Sequence, residues 1–260
     1  MEYSDKTIVK PEVHYLKDIL GTVYRGELRV PDFVRPFVWE PEDMLSLFES
    51  ISRGYPIGSL VFWKAREECQ TYPKIGPFEF DPKSSPRPKN YIIDGHQRIA
   101  TLFGILTPPD LKQVTVPNSK LNIFTASILS VNITSRKYIS FSAKKWNWAV
   151  YYDLRNGKFA YIKKGAPERH YIPLNSLMNT LAFLRECRRI QKECKKDAHR
   201  YMEKAENLSQ SFFNYMIPVL QIKEGNLENA LEIFARMNFP KTGQRIESDF
   251  RKPSSKNIKM

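Results

Sequence analysis

The chain has 260 residues, enough to bury a substantial core, with an ordinary 42% of hydrophobic residues and 27% of charged ones, so wholesale disorder is excluded. Its formal charge of +13 is not ordinary and creates a field that attracts polyanions such as nucleic acid, nucleotides or an acidic membrane surface. Three scattered cysteines argue against a disulfide scaffold, no apolar run is long enough to span a bilayer, and the polar start MEYSDKTIVK lacks the core of a signal peptide. The expectation is a cytoplasmic protein with no membrane partner.

In chain order, His14 to Leu20 read as a short helix ended by Gly21, and Leu28 to Pro31 as a strand leading into DFVRPFVWEPEDM. Pro31 and Pro36 impose an extended backbone around Arg35. Pro41 sits where a first helical turn tolerates it, and Met44, Leu47, Phe48 and Ile51 give that helix an apolar face up to Gly54. GYPIG is a turn, and Leu60 to Trp63 a buried strand. The five prolines between Pro73 and Asn90 predict an exposed loop.

Tyr91 to Leu106, YIIDGHQRIATLFGIL, organises the rest. An apolar β-prone run stops at Asp94-Gly95, after which Ile99, Leu102, Phe103 and Leu106 follow helical spacing. The segment reads strand, sharp turn, helix. A helix start offers unpaired N–H groups and partial positive charge, Gly95 permits close backbone approach, and Arg98 carries a guanidinium suited to phosphate. Asp94 suits a Mg²⁺ ion or a positioned water. The plainer alternative is that Asp94 caps the helix and Arg98 solvates its face.

Further on, Leu121 to Phe124, Tyr138 to Phe141 and Trp148 to Leu154 are strand candidates, with Lys158 to Ile162 pairing back across an Asn156-Gly157 turn. Trp148, in the basic and aromatic stretch Lys144 to Trp148, is read as core before it is read as a single-strand platform. From Leu177 to about Leu208 the pattern is helical with one break, Pro218 to Ile222 is a strand, and Leu227 to Asn238 a last helix. Cys187 and Cys194 share a helix face and read as small packing residues rather than zinc ligands. The cationic run between Arg185 and Arg200 is either a solvated face laced with ion pairs or a DNA-backbone contact.

Together, VPDFVRPFVWE, GYPIGSLVFW, YIIDGHQRIATL and IFARMNFPKTGQRIESDF, in this order over about Val30 to Phe250, resemble the N-terminal domain of the GmrSD-type modification-dependent restriction enzymes and the wider ParB/sulfiredoxin-like fold. The resemblance implies an α+β architecture: a ParB/sulfiredoxin-like core with a mixed β-sheet and flanking helices over residues 1–173, a helical extension over 174–250 that returns the late motif to the core, and a frayed tail over 251–260. It implies an NTP substrate with Mg²⁺, hydrolysed to support restriction of modified or foreign DNA. Carried over by residue, Arg35 and Trp39 belong to the early motif. Asp94, Gly95, Gln97 and Arg98 belong to the central motif, with His96 in place of a glutamine, and Arg236, Asn238 and Gly243 to the late one. The implied roles are catalysis by Asp94 and Arg98, metal binding by Asp94, and nucleotide binding by Arg35, Trp39, Gly95, His96, Gln97, Arg98, Arg236 and Asn238. Val34 stands where the family carries its early glutamine, so the alternative is a DNA- or partner-binding module that does not hydrolyse NTP. None of the four histidines lies in a His-Asn-His-type motif, so DNA cleavage is expected of a nuclease half or a separate subunit.

Overall fold

The computed structural model describes residues 8–65, 68–80, 88–107, 139–141, 148–223 and 225–238. The strand candidate Leu121 to Phe124, Gly243 and the tail lie outside them. A five-stranded mixed sheet runs in the order β1 (Val9–Tyr15), β11 (Met216–Ile222), β3 (Leu60–Trp63), β6 (Asn90–Asp94), β2 (Leu28–Arg29). β11 is antiparallel to β1 and parallel to β3, β3 antiparallel to β6, and β6 parallel to β2. The chain is α+β, as its motifs imply.

Alternation along the strands explains the layers, since successive side chains point to opposite faces. Leu60, Phe62, Ile92, Ile217 and Val219 join a cluster that also buries α1 (Leu16–Tyr24), α2 (Pro41–Ser52) and α3 (His96–Leu106). Val61, Trp63, Tyr91, Ile93 and Ile222 face the other way, onto α6 (Leu227–Asn238) through Ala230, Ile233 and Phe234. The first cluster continues through Leu174 and Leu177 into α4 (Thr180–Cys194) and α5 (Ala198–Phe213), a helical hairpin broken at Lys195, where φ is +40°. Two small antiparallel sheets complete the fold: β10 (Tyr171–Pro173), β8 (Val150–Asp153) and β9 (Lys158–Tyr161) in one, and β4 (Lys74–Ile75), β5 (Phe78–Phe80) and β7 (Ile139–Phe141) in the other.

Two expectations need correction. His14 lies in β1, and the first helix starts at Leu16 and runs through Gly21 to Tyr24. The reason is that β1 is an edge strand whose exposed valines give no alternating burial signal. The proline-rich stretch after Pro73 is not simply an exposed loop: Ile75, Phe78 and Phe80 are buried, and Phe78 packs its ring 4.8 Å from that of Phe103. Trp148 is core, 5.4 Å from the Phe37 ring and packed over Gly104 of α3.

Candidate functional site

β6 ends at Asp94, a single residue turns the chain, and α3 begins. Gly95 is the N-cap, with φ +99° and ψ 10°, a left-handed conformation disfavoured for any side chain bearing Cβ. Space forbids a side chain as well, because a Cβ there would lie 2.2 Å from Leu60 Cδ2. No side chain caps the helix, and no acidic residue occupies its first turn. Asp94 is therefore not the N-cap; its Oδ2 accepts a hydrogen bond from Arg98 Nη2 at 3.0 Å.

The next three side chains tie down loops distant in sequence. Arg98 Nη1 donates to the Ile57 carbonyl at 2.7 Å, and the guanidinium lies so close to the GYPIG turn that a Cβ on Gly58 would sit 2.9 Å from it. Gln97 spends its amide on the early motif: Nε2 donates to the Pro36 carbonyl at 2.8 Å, while Oε1 accepts from the Val38 and Trp39 amides at 2.9 and 3.3 Å. His96 is buried, stacked on Tyr72 and edge-on to Phe37. Its Nδ1 lies 3.0 Å from the Arg35 carbonyl, which can only accept, so Nδ1 carries the proton. Burial lowers the His96 pKa, partly offset by that bond, and keeps the ring neutral.

The early motif is thus held at its backbone. Tyr72 adds to the hold, its hydroxyl donating to the Asp32 and Val34 carbonyls at 3.0 and 2.9 Å. Nothing in the sequence marks Tyr72, because its partners are carbonyls that any residue supplies. With the backbone fixed, the Arg35 side chain remains exposed beside the α3 start, and Trp39 is half-buried against the core. Val34 is 4% exposed, so its side chain belongs to the core.

Among the described residues the late motif meets the early one at a ring pair, Phe234 against Phe33 at 5.8 Å and 68°. Arg236 is exposed and paired with Glu232 one turn back, and Asn238 closes α6. The structure therefore gathers Arg35, Trp39 and Asp94 to Arg98 around one helix start, and sets Arg236 on the outer layer in a local ion pair.

Mg²⁺ typically takes one or two carboxylates and completes its shell with water and phosphate oxygens. Asp94 fits that role: it is partly exposed, braced through Oδ2, and its Oδ1 makes no hydrogen bond among the described residues. Among those residues no cluster of three or more His, Cys, Asp or Glu could hold a metal by itself, and Cys187 and Cys194 are free thiols. No helix among them is long and apolar enough to cross a membrane.

Comparison with known proteins finds a curated relative and a matching family model. An uncharacterized protein of Methanocaldococcus jannaschii, MJ0686, is 26% identical over 250 residues, covering 89% of this chain and 39% of the relative. The chain thus spans well under half the length of that relative. The family model described as GmrSD restriction endonuclease, N-terminal domain, matches residues 16–244. That span takes in all three motifs, and the chain belongs to the family of GmrSD restriction endonuclease N-terminal domains.

Proposed function

We propose that this chain is the nucleotide-responsive part of a system that restricts modified or foreign DNA, binding NTP with Mg²⁺ at the start of α3. The observation that carries the reading is the convergence of the early motif, the GYPIG turn and the central motif on a helix start that no side chain of its own caps. Phosphate oxygens would take the place of a cap on the first N–H groups of α3, and Arg35 would neutralise them from the fixed early loop. Asp94, oriented by Arg98, would hold Mg²⁺ through Oδ1. The ion would withdraw charge from the phosphates and orient them for attack by water. His96 and Gln97 act through the early loop, so their part is positioning. DNA cleavage falls to a nuclease half or subunit.

A second reading has its own support. The core position of Val34 removes a side chain that would position water, which favours nucleotide binding without hydrolysis. Calorimetric titration with each NTP, with and without Mg²⁺, separates the two when combined with phosphate-release assays. Arg35→Ala is expected to weaken NTP binding about ten- to hundredfold, a lost charged hydrogen bond being worth roughly 1.5–3 kcal/mol, with the melting temperature unchanged. Asp94→Asn should retain binding and lose Mg²⁺-dependent turnover. Wild-type binding and turnover in both variants would remove the α3 start from the active site.

A further inference from the structure

The cations of the helical hairpin fall into two groups. Arg189 is fully engaged, donating to Glu186 at 2.8 Å, to Glu193 at 3.2 Å, and to the Arg169 and Tyr171 carbonyls. Arg200 pairs with Asp197 at 2.9 Å, and Lys204 donates to the Leu154 carbonyl. These residues do what charged helix residues ordinarily do. The outward face of α4 is different. Ile190 is fully buried, and the face opposite it carries Leu181, Leu184, Arg185, Arg188, Gln191 and Lys192, all exposed. That face holds no carboxylate, and Arg185, Arg188 and Lys192 form no ion pair among the described residues. Exposed Lys195 and Lys196 continue the same charge at the helix end. The helix macrodipole accounts for cations in the last turn, but not for Arg185 and Arg188 in the middle.

We infer that the outward face of α4 is a contact surface for the phosphate backbone of duplex DNA. Arg185, Arg188 and Lys192 span about 10 Å along the helix at 1.5 Å per residue, over which one strand of duplex presents about three phosphates. Cations that lack protein partners lose no ion pair on meeting phosphate, and each contact releases condensed counterions. The contact reads charge rather than sequence, so it would hold DNA without selecting it. The surface supplies the DNA contact that the restriction reading requires, and rests on that reading only for the kind of polyanion. An anionic lipid surface is the less favoured occupant, because the apolar part of the face is confined to Leu181 and Leu184 at one end.

The test uses the full chain and an unmodified duplex of about 20 base pairs, with fluorescence anisotropy over a salt series. Arg185→Gln, Arg188→Gln and Lys192→Gln combined should weaken binding at least tenfold at low salt. They should also make the slope of log affinity against log salt shallower by about 2–3, at roughly 0.9 per phosphate contact. A control removing as many exposed cations elsewhere, Lys10→Gln, Lys64→Gln and Lys158→Gln, lowers net charge equally and should leave the slope nearly unchanged. An unchanged slope in the α4 variant, or equal losses in variant and control, overturns the proposal. So does binding that survives the charge changes but falls with Leu181→Ser and Leu184→Ser, or a preference for anionic vesicles over duplex. NTP titration of the same α4 variant should match the wild type. Absence of NTP binding in the wild-type chain would defeat the nucleotide reading and leave the DNA surface standing.

Discussion

α2 and α3 both start after an acidic residue followed by one with special backbone properties, Glu40-Pro41 and Asp94-Gly95, yet their first turns are treated in opposite ways. At α2 the chain closes its own helix start. The Glu40 side chain accepts from the Asp43 amide, Asp43 Oδ2 accepts from the Glu40 amide at 3.1 Å, and Glu42 adds negative charge. At α3 the acid is turned away to Arg98, the cap residue is a glycine, and the polar side chains of the first turn reach outward to other loops. α2 spends its polar groups on itself, whereas α3 spends them on assembling what surrounds it. A helix start built in the second way is organised and not self-neutralised, which is the condition for meeting an anion from outside.

The sharpest way to break the contrast is at Gly95. Gly95→Ala must place Cβ 2.2 Å from Leu60 and adopt a left-handed φ. Backbone strain of roughly 1–2 kcal/mol and overpacking of roughly 1–3 kcal/mol should together cost about 3 kcal/mol, read by denaturant unfolding. Gly54→Ala, also at positive φ but with no atom within 4 Å, should cost only the strain. Equal losses at the two sites would mean that the α3 turn relaxes easily and that the close approach carries no weight.

A smaller effect is expected at Arg98. Because it bridges Asp94 and the Ile57 carbonyl, Arg98→Ala removes two charge-assisted bonds and should lower stability by roughly 2 kcal/mol, allowing for the exposed side of the pair. Nucleotide affinity should fall along with the melting temperature, since the loss disorients Asp94. Lysine cannot supply the same planar fork, so Arg98→Lys should recover only part of either. Lost NTP binding with an unchanged melting temperature would instead make Arg98 a direct phosphate clamp.

What the sequence discloses follows from the range of the interactions. The β6-turn-α3 unit is legible because its apolar period switches within a few residues, from Tyr91-Ile92-Ile93 to Ile99-Leu102-Phe103-Leu106. The helical pattern from Leu177 to about Leu208 is legible as well, although Leu181 and Leu184 near its start are exposed. β1 is not, since Val9 and Val13 are exposed and its identity as a strand comes from pairing with β11 across some two hundred residues. The residues of the early and central motifs are visible as types, and their division of labour is not. His96 and Gln97 bind backbone groups of Arg35 to Trp39, about sixty positions away, and a backbone carbonyl has no signature in the sequence. Tyr72 escapes notice on the same ground.

The smallest predicted effect lies on the α2 side of the comparison. Asp43→Ala removes one half of a reciprocal capping box on an exposed helix start, so its cost should be near that of an ordinary cap, about 1 kcal/mol. Asp43→Asn should cost less, because its side-chain oxygen still accepts from the Glu40 amide. Neither change alters the α3 start, whose geometry is fixed by Gly95, Gln97 and Arg98. NTP titration of both variants should therefore match the wild type while the melting temperature falls modestly for alanine. Trp39 is a route by which the two could couple, since its amide binds Gln97 and it immediately precedes the α2 cap. A nucleotide affinity that drops with Asp43→Ala and recovers with Asp43→Asn would show that α2 capping sets the position of the early loop, and would join the two helix starts into one site.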